Sequence, residues 1–337
     1  MKRSEFRKDI VSGEWVLFVP GRAGKPTDLA KKKKPRVPSP KKKCLFEDPF
    51  LNVDDKVILG YASRAHGDMR KDWELLVLKN KYPAVVPSKK RARKTPSSRF
   101  SESSPGVGYH DLLITRSHTK NFAHISKREA FQIFSAFRER YFMFLRDKNV
   151  AYVSMFHNWG KGAGASIFHP HYQILAVPII PPDISRLLRG SSEYFEKHGQ
   201  CAFCAMIRSE KKRGSRIVFE NRHAIAFCPY ASRYEFETRI FPKRHRAFFE
   251  DTPDAEMKGM AEALQFVLAK IEKNLADPDY NFFFNVAPAR NKNQHKDTYH
   301  WNVEIRPVAG IPGGFEYDTG MEVNVVDPED AAAAIRK

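Results

Sequence analysis

Phe168-His169-Pro170-His171-Tyr172-Gln173 and, late in the chain, His300-Trp301-Asn302-Val303-Glu304 are the stretches from which the architecture can be read. Both close the same sequence of elements. Ahead of the first lie a strand pattern at Leu112–Thr115, His118, an amphipathic helix, a strand at Tyr152–Phe156 and a loop. Ahead of the second lie Phe236–Phe241, His245, a second helix, Asn281–Val286 and another loop. The spacing agrees as well: His118 to His169 is 51 residues and His245 to His300 is 55. A divergent internal repeat therefore predicts an α+β chain made of two copies of one unit, 1–182 and 183–337, joined near Pro182–Gly199.

The helices carry the clearest signals. Ser126 with Glu129 is a capping box, and Phe131, Phe134, Phe137, Tyr141 and Leu145 follow at helical spacing. Thr252-Pro253 reads as a cap followed by proline at the first helical position, ahead of Met257, Met260, Leu264, Val267, Leu268 and Ile271. Further strands are expected at Trp15–Val19, Trp73–Leu78, Tyr172–Val177, Arg216–Phe219 and Trp301–Ile305.

Subtracting one copy from the other separates roles. Both keep a leading Cys motif (Cys44-Leu-Phe-Glu47, Cys201-Ala-Phe-Cys204), a histidine after a strand, and the first histidine of the late strand. These are expected to be structural. Only the first copy has His171, which faces Asn302 in the alignment, and Gln173, which faces Glu304. Because strand side chains alternate, residues 169, 171 and 173 share a face beside the loop Asn158-Trp-Gly160-Lys-Gly162-Ala-Gly164-Ala-Ser166. Three glycines let main-chain N–H groups approach a phosphate, and an imidazole, unprotonated near neutral pH, attacks phosphorus and leaves again. Taken alone, His-x-His on a strand is more often a metal site or a packed pair; its conjunction with the loop favours phosphoryl chemistry.

The 337 residues are 42% apolar and include 26 Phe, enough for a large core and for two domains of ordinary size. The net charge of +19 favours phosphate-bearing partners. Much of it sits in Lys31–Lys43 and Ser88–Ser104, which read as solvated loops rather than as a nucleic-acid surface. No apolar run reaches the roughly 18 residues of a membrane span, and no signal segment opens the chain, so a cytoplasmic location without membrane contact is expected.

The sequence resembles the galactose-1-phosphate uridylyltransferase family, the transferase branch of the histidine-triad superfamily. The likeness runs from Arg7-Lys-Asp-Ile-Val-Ser-Gly-Glu-Trp-Val and Pro20-Gly-Arg-Ala, through Asn80-Lys-Tyr-Pro-Ala and the His169–Gln173 motif, to Gly314-Phe-Glu316 and Pro328-Glu-Asp-Ala-Ala. It implies two histidine-triad-like units, each an antiparallel sheet with packed helices, and a homodimer. It also implies His171 as the nucleophile forming a nucleotidyl-enzyme and Gln173 as its phosphoryl-binding partner. Arg7, Arg22, Asn80, Asn158, Gly164, Ala165, Ser166, Phe315 and Glu316 match positions that hold nucleotide or sugar phosphate.

Zinc is part of the same implication, with Cys44, Glu47, His118 and His169 as one ligand set and Cys201, Cys204, His245 and His300 as a Cys2His2 set. Glu47 departs from the second cysteine common in the family. Cys228, Met257 and Met260 read as core, and His66, His110, His124, His157, His198, His223 and His295 as surface or satisfied histidines. On the sugar side, Gly310 and Glu322 replace a lysine and a glutamine of the galactose enzymes, and a negative Glu322 is expected to repel a sugar phosphate. Uridylyl transfer from UDP-glucose to a hexose 1-phosphate is the leading expectation. Adenylyl transfer to phosphate, as in plant ADP-glucose phosphorylase, is the alternative, with a nucleic-acid-binding protein or deadenylase as a third reading.

Overall fold

The computed structural model describes residues 3–22, 36–53, 57–63, 67–89, 95–98, 100–288, 290 and 292–337. His66 and parts of the two basic loops lie outside them. Among the described residues, ten strands form one antiparallel sheet. Its order is Ile217–Glu220, Ala224–Phe227, Thr238–Pro242, Asn302–Pro307, Tyr280–Asn285, Tyr152–Trp159, His171–Val177, Tyr109–Thr115, Trp73–Lys79, Val57–Ala62. Read from either edge inward, the order is the same: a hairpin, the strand before the long helix, the histidine strand, then the strand after the helix. The halves meet where Phe283 pairs with Phe156.

That register converts the sequence repeat into exact equivalences. Gln173 lies opposite Leu112 and Phe156, as Glu304 lies opposite Arg239 and Phe283. Stepping along the strands makes His110 equivalent to Glu237, His157 to Phe284, and His118 to His245.

The two long helices, Lys127–Leu145 and Asp254–Asn274, pack side by side under one face of the sheet. Val153, Met155, Tyr172, Ile174, Ala176, Phe282 and Phe284 face them and are buried. Edge-to-face rings join the layers, with Phe284 5.1 Å from Phe134 and 5.4 Å from Phe137. Residues alternating with these, among them Phe156, Asn158 and Gln173, are only partly buried on the opposite face.

The capping box at Ser126 and Glu129 is present. At the second helix the cap position is Pro253 itself. Thr252 does not cap; its hydroxyl donates to the Phe248 carbonyl and accepts from the Trp301 indole. The joint expected near Pro182–Gly199 is a helix, Pro182–His198, followed by a second, Ala202–Arg213. Gly190 in the joining helix allows the Val11 carbonyl to reach its backbone: a Cβ there would lie 1.7 Å from that oxygen. Gly190→Ala is therefore expected to destabilise the fold by about 2 kcal/mol or more, despite alanine's better helix propensity. Urea denaturation measures this, and a stabilised variant would contradict the packing.

Candidate active site

His171 opens the strand His171–Val177, where alternation places Tyr172 in the core and His171 and Gln173 on the face away from the two long helices. The His171 Nδ1–H donates to the His169 carbonyl at 2.9 Å. Nε2 therefore keeps its lone pair, on the side of the ring away from that carbonyl. Burial, the larger influence, pushes the His171 pKa below 6.5, against the opposing pull of the His169 carbonyl. The ring is thus a neutral base at physiological pH, 6% exposed and flanked by Phe46 with ring centres 5.7 Å apart.

The neighbouring strand supplies Asn158. Since His157 pairs with Tyr172, Asn158 comes opposite His171 one step on. Its Oδ1 accepts from Asn281 Nδ2 at 2.8 Å, which leaves the Asn158 amide N–H groups to the site. Gly164 and Ser166 stand exposed beside it.

The loop glycines differ in their reasons. Gly160 (φ +88°) and Gly162 make room for Asp279: a Cβ on Gly160 would lie 2.0 Å from Asp279 Oδ1, and the Gly162 N–H donates to Asp279 Oδ2 at 2.7 Å. The N–H groups of Ala163, Gly164 and Ala165 are taken within the loop by the Gly160 and Lys161 carbonyls. The expected phosphate cradle of glycine amides is therefore corrected. These glycines shape the loop around Asp279, and Asn158 and Ser166 are the donors facing out.

Two sets of metal-ligand side chains converge, Cys44, Glu47, His118 and His169, and Cys201, Cys204, His245 and His300, each with its ligand atoms within 4.8 Å of one another. In the first set, His118 Nε2–H donates to the Ser39 carbonyl and His169 Nε2–H to the Thr115 carbonyl, both at 2.7 Å. Both Nδ1 lone pairs then point inward. His118 Nδ1 lies 2.8 Å from Glu47 Oε1, two buried acceptors face to face, a contact that a cation reconciles. In the second set, Cys204 Sγ lies 3.3 Å from His245 Nδ1 and 3.5 Å from His300 Nδ1, and His245 donates from Nε2 to the Lys296 carbonyl. Hydrogen bonding from Cys204, then from the two histidines, pulls the Cys201 thiol well below its ordinary pKa, while its coupled partner Cys204 is pushed up by the same hydrogen bond, so one thiol of the pair carries the charge.

A family described as a domain of unknown function (DUF4921) matches residues 61–337. ADP-glucose phosphorylase of Arabidopsis thaliana is 33% identical over 334 residues, covering 99% of this chain and 92% of its own. Its crystal structure with bound ADP-glucose superposes with a TM-score of 0.82 at 29% identity, covering 100% of this chain and 99% of that one. Galactose-1-phosphate uridylyltransferase of Thermotoga maritima is 27% identical over 279 residues, 80% of this chain and 86% of its own. The chain belongs to the galactose-1-phosphate uridylyltransferase family. That family comprises hexose-1-phosphate nucleotidyltransferases, and ADP-glucose phosphorylase is among its members.

Of the residues the uridylyltransferase resemblance singles out, the fold sets Asn158 opposite His171 with Gly164 beside the Asn158 amide, and links Gln173 to Asn80 through His110. It does not bring Arg7 to them. That guanidinium is 8% exposed and held by Asp327 at 3.0 Å, Glu5 at 2.5 Å and Glu329 at 3.9 Å, so it ties the two ends of the chain together. Arg22 stands exposed beyond the strand Trp15–Phe18. Phe315 is exposed, and Glu316 caps its own short helix through the Gly313 N–H. Glu322 is answered by the Tyr234 hydroxyl at 3.0 Å and Arg233 at 3.5 Å, which removes the force of the repulsion expected of it.

Two histidines grouped with the satisfied ones are part of the site's frame. His110 meets Gln173 through Nε2 at 2.9 Å. His157, fully buried, donates from Nδ1 to the His171 carbonyl at 2.7 Å and lies 4.6 Å from the Tyr172 ring. Their alternation within the strands Tyr109–Thr115 and Tyr152–Trp159 was the available signal. Burial holds His157 neutral, with its pKa pushed down from 6.5 to about 3. The unfolded chain takes this proton below 6.5 and the folded one refuses it, so stability is full above that value and declines as pH falls toward 3. His157→Phe, the residue at the equivalent position 284, is expected to make that decline shallower by up to about 1.4 kcal/mol per pH unit. Urea melts across the range with equal slopes for both proteins would refute this.

Proposed function

We propose that the protein transfers a nucleoside monophosphate through a covalent adduct on His171, with an adenine nucleotide sugar of the ADP-glucose kind as donor and phosphate as acceptor. Nε2 attacks the phosphorus next to the nucleoside; the P–N bond forms, the P–O bond to the sugar phosphate breaks, and sugar 1-phosphate leaves. Phosphate then attacks the adduct and releases the nucleoside diphosphate. The observation carrying this is the Nδ1–H bond from His171 to the His169 carbonyl, which leaves Nε2 unprotonated and steadies the cationic ring of the adduct. Gln173, Asn80, Asn158 and Ser166 donate to the phosphoryl oxygens, and Gly164 and Ala165 shape the turn beside them.

Uridylyl transfer from UDP-glucose to a hexose 1-phosphate is the second reading, favoured by the likeness to the Thermotoga enzyme. The sequence alone ranks it first. The match to ADP-glucose phosphorylase over 99% of the chain supports the reverse order. The proposal includes zinc in both ligand sets as a structural ion that pins the late strand of each half, and a homodimer. The two halves are taken as domains, 1–182 with the nucleophile and 183–337 degenerate.

Incubation with ADP-glucose and with UDP-glucose separately, followed by intact mass measurement, is expected to give an acid-labile AMP adduct from the first. A UMP adduct alone would select the second reading; no adduct, or one surviving His171→Ala, would overturn both. The rate of adduct formation is expected to hold as pH drops to 6.5 and to fall only below it, because the His171 pKa is lowered from that value.

The two metal sets should also separate under a chelator. A carboxylate in place of a thiolate makes the Glu47 set the weaker for zinc, so metal analysis is expected to show it emptying first. Glu47→Cys should bring its loss level with that of the Cys2His2 set. Simultaneous loss from the native protein would show the sets to be equal.

A further inference from the structure

We propose that His110 is a positioning residue that sets the orientation of the Gln173 amide. This rests on the nucleotidyl-transfer reading above and concerns a residue that reading leaves without a role. The Ala84 main-chain N–H points at His110 Nδ1 at 3.1 Å. A main-chain N–H can only donate, so Nδ1 must carry its lone pair, and the neutral ring bears its proton on Nε2. Nε2 is the atom 2.9 Å from the Gln173 amide oxygen. His110 therefore donates to Gln173 Oε1, and the Gln173 NH2 group is turned away from His110.

The orientation matters because a primary amide is nearly symmetrical in shape and opposite in polarity at its two ends. With NH2 toward His171, Gln173 donates to the phosphoryl oxygens. Rotated by half a turn, it presents a carbonyl oxygen to an anion. His110, offering only a donor at Nε2, removes that second orientation.

The rest of the surroundings hold His110 in place. The Asn80 N–H donates to the His110 carbonyl at 3.0 Å. The Asn80 side-chain oxygen accepts from the Tyr82 N–H at 3.0 Å, which fixes the amide, and its Nδ2 lies 3.4 Å from His110 Nδ1, the acceptor nitrogen, and 3.2 Å from Nε2. Asp111, next in the chain, anchors the strand through a buried pair with Arg140 at 2.7 Å. The second half supplies the contrast. Glu237 takes the place of His110 and Glu304 that of Gln173, so no donor–amide pair exists where His171 is also missing.

His110→Phe keeps a planar ring and deletes the Nε2–H. Under single-turnover conditions with the nucleotide sugar that labels the wild type, it is expected to slow adduct formation by roughly tenfold to a hundredfold, with the half-saturating concentration changed by less than about threefold. His110→Gln, which retains an N–H donor, is expected to recover part of the rate. The deciding measurement is the double-mutant cycle. In a Gln173→Ala background His110→Phe should have almost no further effect, because His110 acts only through that amide. Full additivity with Gln173→Ala, or a wild-type rate in His110→Phe, overturns the proposal, and an unchanged thermal midpoint separates a positioning loss from an unfolded variant. If the wild type forms no adduct at all, the failure belongs to the nucleotidyl-transfer reading instead.

Discussion

An imidazole has two nitrogens, and whichever one gives its proton to a main-chain carbonyl leaves the other as a lone pair. This choice organises the chain. His118, His169 and His245 each donate from Nε2, to the carbonyls of Ser39, Thr115 and Lys296, and so present Nδ1 to the centres where thiols and a carboxylate gather. His171 makes the opposite choice, donating from Nδ1 to the His169 carbonyl and presenting Nε2. Two histidines two residues apart thus have opposite free nitrogens, one suited to a ligand and one to a nucleophile. Burial keeps both rings neutral, and without the carbonyls neither tautomer would be fixed.

The carbonyls are where they are because of the sheet. Thr115 ends its strand beside the start of the histidine strand, where Ile114 pairs with His171, which puts its oxygen within reach of His169. From the core side, His157 donates to the His171 carbonyl, so the backbone of His171 is held by one hydrogen bond and its ring by another. Phe46 joins the layers of this arrangement. It lies between Cys44 and Glu47 and packs on both His169 and His171, each with ring centres 5.7 Å apart. Ordering of the Cys44–Glu47 loop and walling of the His171 ring are consequently one structural event.

Much of this was legible in the sequence because it depends on periodicity and repetition. The long helices announced themselves by spacing, and the expected strands are all present with shifted ends. What stayed hidden was carried by contacts rather than pattern. Ala224–Phe227 is buried at every position and has no alternation to read. The pattern of Val57–Ala62 is interrupted by Gly60, against which the Met69 side chain packs. Gly160 and Gly162 looked like a phosphate cradle, yet their partner Asp279 is more than a hundred residues away, a distance no local motif reveals. His110 escaped notice for the same reason: its meaning lies in Gln173 and Ala84, brought to it by strand pairing and a turn. Arg7 is the reverse case. A matching residue type could not tell that Asp327 and Glu329 would close around it.

The second half shows the same frame with other residues at the positions of His171 and Gln173. Where the first half has His110, Leu112 and Gln173, the second has Glu237, Arg239 and Glu304, all buried. Arg239 lies 2.9 Å from Glu237 and 3.4 Å from Glu304, which also receives Asn285 at 3.0 Å and Arg306 at 2.6 Å. A cavity of about 290 Å³ remains beside these residues, lined in part by Asn285, Glu304 and Arg306. An imidazole, an apolar side chain and an amide in the first half are thus matched in the second by paired charges that satisfy one another. Desolvated charges tolerate no unpaired neighbour, so this half is committed to a single arrangement. This charge network borders the seam at Phe156 and Phe283, whereas on the same face the first half presents the Nε2 lone pair of His171 and the amide of Gln173.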